Sequence, residues 1–306
     1  MRSLPLDGVT VVSCEQAVAA PLATRHLADL GARVLKIERP GSGDFARAYD
    51  ETVHGLSSHF VWLNRSKESV TLDLKTDAAA GVMAALLDRA DVFVQNFAPG
   101  VADRLGLGAA TLRATRPRLI TCSVSGYGST GPYRDAKAYD LLIQSEAGLV
   151  SVTGSAAEPA KSGIPAADIG AGMYAFSGIL SALYDRERTG QGTELEVSLF
   201  DSLVEWMGFP LYYAGYGGHR HRGRAPATPR SPPTARSARA TGPKWCWRCR
   251  TTASGRRSAS TRSPARTGSP TPGSPRAVRA WRTAGRSKAR SSGSSRSSRA
   301  PNWRPG

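Results

Sequence analysis

The last 87 residues, Arg220 to Gly306, contain no aspartate or glutamate and no leucine, isoleucine, methionine, phenylalanine or tyrosine, and Val278 is their one valine. Their 20 arginines and two lysines therefore add +22, more than the +17 of the whole chain. Without aliphatic surface to bury, the stretch cannot offset roughly 1–2 kcal/mol per residue of lost backbone entropy, so a disordered, low-complexity basic tail is expected over 220–306. Residues 1–219 differ in kind: 19 basic and 24 acidic side chains give a net −5, with enough apolar residues for a core. The overall charge does not by itself identify a nucleic-acid binder. Function is to be sought in residues 1–219.

Other absences narrow the class. No run of 18 apolar residues occurs, and the start, Met1-Arg2-Ser3-Leu4-Pro5-Leu6-Asp7, lacks the apolar stretch of a signal peptide, so a cytoplasmic protein with no membrane partner is expected. Of four cysteines, Cys14 and Cys122 close strand-like segments and suit reduced, packed thiols. Cys246 and Cys249 form a C-x-x-C in the tail with no second ligand pair, and of the five histidines none shows ligand spacing near another candidate except His219 and His221 at the junction with the tail, so no metal site is expected. The first strand leads into Ser13-Cys14-Glu15-Gln16-Ala17 with no G-x-G-x-x-G, which disfavours a nicotinamide enzyme.

What is present alternates. Short β-rich runs, 8–12, 33–37, 69–74, 91–95, 119–124 and 194–198, are separated by helix-period stretches at 21–30, 77–89 (with Asp77 as N-cap), 141–150, 170–183 and from 199 to about 213. The pattern predicts an α/β fold with an open, largely parallel, Rossmann-like sheet, in which ligands sit beyond the carboxyl ends of the strands. Cations and amides recur at those ends: Arg39 in a Gly-Ser-Gly turn, Lys75, Asn96 with Phe97, Arg104, and Lys137 after a Gly-rich loop. Singly each reads as a solvated surface group. Together they suit a ligand with several phosphates, and Phe97 offers a ring for a base or for packing. Asp168, among small residues before Ile169-Gly170-Ala171-Gly172, reads on spacing alone as a helix N-cap, with a nucleophilic carboxylate as the functional alternative.

These segments resemble the class III CoA-transferases, which include formyl-CoA transferase and the crotonobetainyl-CoA:carnitine enzyme. The resemblance runs through Val34-Leu35-Lys36-Ile37-Glu38-Arg39-Pro40-Gly41-Ser42-Gly43-Asp44, Leu72-Asp73-Leu74-Lys75-Thr76, Gln95-Asn96-Phe97-Ala98-Pro99-Gly100 and Ala138-Tyr139-Asp140-Leu141-Leu142-Ile143-Gln144. It ends with Arg186 to Gly192 and Val197-Ser198-Leu199-Phe200-Asp201, covering about 210 residues and identifying 1–219 as the large-domain portion. It implies transfer of coenzyme A from an acyl-CoA to a small carboxylic acid through an aspartyl-CoA thioester on Asp168. No prosthetic group is implied, the CoA thioester being the substrate. Val18, Ala19, Arg39, Leu72, Lys75, Asn96, Phe97, Arg104, Lys137 and Tyr139 would line the CoA site of an interlocked homodimer. Val18 stands where the formyl-CoA enzyme has a polar residue, and Ala98 where relatives often carry Arg or Gly. The related 2-methylacyl-CoA racemase has a histidine at the position of Tyr139, which favours the transferase.

The resemblance stops near Gly218-His219-Arg220, and the tail's composition suggests a shifted reading frame. Trp245-Cys246-Trp247 requires the codons TGG-TGY-TGG, which read from the third base of the preceding lysine codon give Val or Met, then Val, then Leu. A single insertion or deletion near codon 219 accounts for such a tail. Two further readings stand beside the transferase: an inactive truncated fragment, and a basic nucleic-acid-binding protein using the tail with Trp245, Trp247, Trp281 and Trp303 as stacking residues.

Overall fold

A computed structural model describes residues 3–155 and 157–218. The tail from Arg220, with the disorder expected there and the Cys246/Cys249 pair, lies outside the described residues. Six strands, β1 (Thr10–Cys14), β2 (Arg33–Glu38), β3 (Lys67–Thr71), β4 (Val92–Gln95), β5 (Ile120–Ser125) and β6 (Glu194–Ser198), form one sheet in the order β3-β2-β1-β4-β5-β6. Every pairing is parallel. This is the open α/β sheet the alternating pattern predicts, and its strand order reverses between β1 and β4, where such sheets open a crevice.

Parallel crossovers place helices on both faces, so the central strands are apolar on both sides. On one face Val11, Val34, Val92, Val94, Ile120 and Cys122 pack under α1 (Ala19–Asp29), α8 (Ala166–Thr189) and α9 (Leu199–Trp206). On the other, Val12, Leu35, Ile37 and Phe93 meet Met83 and Leu87 of α3 (Asp77–Leu87) and Leu112 of α5 (Ala109–Thr115). The 24 residues of α8 would suffice to cross a membrane by length and composition, but Ala167, Ala171, Ala175 and Ile179 are fully buried in the first of these cores. Its small residues let α1 approach closely: a Cβ on Gly172 would stand 2.7 Å from the carbonyl oxygen of Ala19. Cys14 and Cys122 are free, buried thiols, as expected.

Several predicted elements differ. The third strand starts at Lys67 and ends at Thr71, because Asp73 Oδ1 accepts the N–H of Lys75 and turns the chain at once. Thr76, not Asp77, caps α3, its hydroxyl accepting from the N–H of Ala79 at 3.3 Å. The stretch 141–150 divides into α6 (Asp140–Glu146) and α7 (Leu149–Val152) at Gly148, which has φ +85°. The predicted helix at 170–183 is the middle of the longer α8. After β6 the chain forms α9 and then α10 (Gly208–Gly217), separated at Met207. Segments read as loops hold a 3-10 turn (Phe45–Ala48), α2 (Ser58–Asn64) and α4 (Val101–Arg104), besides α5.

Candidate active site

Beyond the carboxyl ends of β1 to β4 lies a cleft of about 540 Å³. Each strand contributes the residues that follow it: Gln16 after β1, Arg39 after β2, Leu72 to Lys75 after β3, and Phe97 and Ala98 after β4, with Arg104 reaching in from α4. Phe97 and Leu72 supply an apolar wall. Arg39 Nη2 donates to Gln16 Oε1 at 2.8 Å, and among the described residues neither Lys75 nor Arg104 pairs with a carboxylate.

The cleft also has four acids in its wall, and three of them are neutralised by neighbouring cations. Lys36 Nζ lies 2.6 Å from Asp44 Oδ2 and donates to Asn64 Oδ1 at 2.7 Å; Lys67 Nζ lies 2.6 Å from Glu15 Oε1. Burial alone would raise the Glu15 carboxyl, but the charges of Lys67 and Lys36 outweigh it and hold it below the usual range. Burial brings Lys67 down to about 8 against the opposing pull of Glu15. Glu38 is held at about 2: burial works against ionisation, and hydrogen bonds from Arg47, Ser69 and the Asp44 N–H prevail. With Glu15, Glu38 and Asp44 so occupied, the exposed cations Arg39, Lys75 and Arg104 outnumber the one remaining acid of the wall, Asp73. The network also shapes the backbone. Asp44 Oδ1 accepts from the N–H of Ala17 at 3.1 Å and of Ala46 at 2.9 Å, holding Ala17 at φ +63°, a conformation costly for a residue with a Cβ.

That β1–α1 turn separates the cleft from Asp168. Ile169 packs against the cluster of Val18, Leu22 and Leu63, and Gly172 against Ala19, so the head of α8 abuts the head of α1. Asp168 is the third residue of α8 and not its N-cap, correcting the spacing argument; the N-cap is Pro165. Its carboxyl is pushed up to about 7, first by burial and then by the charge of Asp140. No hydrogen bond to that carboxylate occurs among the described residues. Tyr49, whose phenol is raised by burial and then by the charges of Asp44, Asp168 and Tyr139, stands within electrostatic reach of both acids.

Of the ten residues that the resemblance assigned to CoA, Arg39, Leu72, Lys75, Phe97 and Arg104 line this one cleft. Asn96 lies beneath it and fixes the turn after β1, its side chain bonding the Gln16 N–H at 3.0 Å and the Gln16 carbonyl at 2.8 Å. Val18 and Ala19 are buried at the head of α1 on the Asp168 side. Lys137 and Tyr139 are exposed on the segment before α6 and do not line the cleft. Sequence reasoning did not find Gln16, Glu15, Asn64, Lys67 or Tyr49. Asp44 carried a signal, as the end of the Gly-Ser-Gly-Asp turn, that was not read as functional.

A model of CoA-transferase family III matches residues 6–250, which extends past the point near residue 219 where the motif resemblance ends. Over 205 residues the chain is 41% identical to an acetyl-CoA:oxalate CoA-transferase of Acetobacter aceti, covering 66% of this chain and 53% of the relative. It is 36% identical over 202 residues to a mouse succinyl-CoA:glutarate CoA-transferase, covering 65% and 46%. The crystal structure of a CAIB/BAIF family protein from Brucella suis superposes with a TM-score of 0.71 at 35% identity, covering 76% of this chain and 63% of that one. The chain spans about half the length of the curated relatives it matches.

Proposed function

The chain belongs to CoA-transferase family III, and on that premise we propose that it moves coenzyme A from an acyl-CoA donor to a free carboxylic acid, with Asp168 as nucleophile. The observation that carries this reading is the setting of Asp168: a sheltered carboxylate without hydrogen-bond partners among the described residues, in the first turn of a helix packed on the head of α1, whose preceding turn borders a cation-lined cleft. The cleft suits the phosphates of CoA, with Arg39, Lys75 and Arg104 as counter-charges and Phe97 beside them.

The steps balance without an external reagent. The Asp168 carboxylate attacks the donor thioester carbonyl, the C–S bond breaks, and an acyl-aspartyl anhydride and CoA thiolate result. The thiolate attacks the aspartyl carbonyl, releasing the donor acid as its carboxylate and leaving an aspartyl-CoA thioester. The acceptor carboxylate repeats the exchange in reverse order, and CoA leaves as the new thioester while Asp168 is restored. No prosthetic group takes part. A carboxyl raised well above the usual range by burial is, once ionised, a stronger base and nucleophile than a free aspartate.

The relatives' names point to short acids, so acetyl-CoA or succinyl-CoA as donor and oxalate or glutarate as acceptor are the first pairs to test. The reading extends to the homodimer that the family resemblance implies and to the cytoplasmic location expected from the sequence. Chromatography of the thioesters formed by the full chain should show the acceptor's CoA ester, and Asp168→Ala should abolish it. No new thioester from any pairing would overturn the activity, and full transfer by Asp168→Ala would overturn the nucleophile.

A further inference from the structure

The first N–H groups of a helix have no partner inside it and draw negative charge. In α8 they are not taken by a residue of the same segment, since the N-cap is Pro165 and no side chain there caps the helix. Two of them meet Asp140, the first residue of α6: its Oδ1 accepts from the N–H of Ala167 at 2.8 Å and lies 3.4 Å from that of Asp168. Asp140 Oδ2 accepts from Gln144 Nε2 at 2.6 Å. Gln144, 1% exposed, in turn accepts from the N–H of Ser162 at 2.9 Å and reaches the carbonyl oxygen of Ile164 at 3.3 Å. One buried amide and one carboxylate thereby fix both the approach to α8 and its first turn.

The side chain at the third position of a helix ordinarily bonds the backbone N–H of the N-cap residue, and Pro165 has none, which leaves the amides of the first turn as the donors within its reach. Asp168 occupies that position and its carboxylate bonds neither of the amides of Ala167 and Asp168, both of which face Asp140 Oδ1. We infer that Asp140 is a positioning residue: by occupying the amides at the head of α8 it keeps the Asp168 carboxylate unpartnered and available to attack. The inference rests on reading Asp168 as the nucleophile. A carboxylate whose lone pairs are held by N–H donors is both less basic and less nucleophilic, so the device acts on reactivity and not only on helix stability.

The groups facing Asp168 are Asp140 from α6 and Tyr49 after the 3-10 turn. Two measurements on the full chain separate the possibilities. The first is the ionisation of Asp168, followed by carbon NMR of chain labelled at the aspartate carboxyl and assigned by its loss in Asp168→Asn. Relative to the unaltered chain, Asp140→Asn removes the charge but keeps an acceptor on the amides, and should lower the titration midpoint. Asp140→Ala frees the amides as well and should lower it further. Equal midpoints in all three proteins, or equal falls in the two variants, would overturn the inference, whether or not the chain transfers CoA. The second is the rate at which acetyl-CoA or succinyl-CoA acylates the chain, read by intact mass. Asp140→Ala should slow it at least 50-fold and Asp140→Asn by less than 10-fold. Acylation undiminished in Asp168→Asn would instead overturn the nucleophile reading and leave the titration result standing.

Discussion

Lys36 Nζ stands 2.6 Å from Asp44 Oδ2, with the two side chains 2% and 0% exposed. The pair ties the end of β2 to the turn that follows it, and Asp44 passes the constraint to Ala17 beside the head of α1. Removing one partner of a buried pair strands the other charge, at a cost of about 3–5 kcal/mol. Asp44→Ala should therefore lose about that much in urea unfolding, while the double variant Lys36→Met with Asp44→Leu should recover most of it. A double variant as unstable as the single one would mean that the bonds of Asp44 to Ala17 and Ala46, or the support that Lys36 gives Glu15, outweigh the pair itself.

Asp168 makes stability depend on pH in a direction opposite to most carboxylates. Its folded value of about 7 lies above the ordinary aspartate value of about 4, so between those limits the folded state binds the proton more tightly. Stability attributable to this group is thus full below pH ~4 and is lost as pH rises through about 7. Asp168→Asn removes the ionisation. Allowing for the partial exposure of the site, it should be more stable than the unaltered chain by about 2 kcal/mol at pH 8 and equal to it at pH 4. Thermal melts across that range check this, and a constant difference at all pH values would refute it.

The sheet was legible because a strand buried on both faces must be apolar along its length, as in Thr10–Cys14 and Val92–Gln95. Only β6 was located to the residue. The edge strand β3 was displaced because Lys67 and Glu68 look like loop residues until Lys67 is seen beneath the cleft. The helix α2 passed for a loop: Ser58-His59-Phe60-Val61-Trp62-Leu63-Asn64 buries Leu63 alone, so no 3.6-residue stripe marks it. Cations placed after successive strands could be read from the pattern, since in such a sheet all those positions meet at one edge. The Glu15, Lys36, Asp44, Asn64 and Lys67 network could not, because its members come from separate elements joined by the β2–β3 register. The same holds for Asp140, which reaches α8 from 27 residues before Ala167.

The contact between the heads of α1 and α8 tests whether small residues there serve packing. A Cβ on Gly172 would meet the Ala19 carbonyl oxygen at 2.7 Å and two carbons of Leu22 at 3.0 Å. Neither backbone nor a fully packed leucine yields cheaply. Gly172→Ala should cost about 1–3 kcal/mol despite alanine's better helix propensity. A gain in the melting temperature would show that α1 and α8 can separate without loss.

The cleft's cations admit a sharper test, because a solvated surface group and a phosphate ligand differ in what they do to affinity and not to stability. Lys75 and Arg104 are exposed, and among the described residues neither joins an ion pair, so removing either should leave the melting temperature within about 1 °C. If they meet the phosphates of CoA, each loss costs a charge-assisted contact of roughly 1.5–2 kcal/mol, or about 10- to 30-fold in Kd. Calorimetric titration with CoA should show that weakening for Arg104→Ala and Lys75→Ala, with a shallower dependence on salt. Titration with pantetheine, which has the thiol arm and no phosphates, should show no difference between the variants and the unaltered chain. Equal weakening toward both ligands would mean that the cations shape the cleft rather than bind its ligand, and unchanged affinity for CoA would place its phosphates elsewhere.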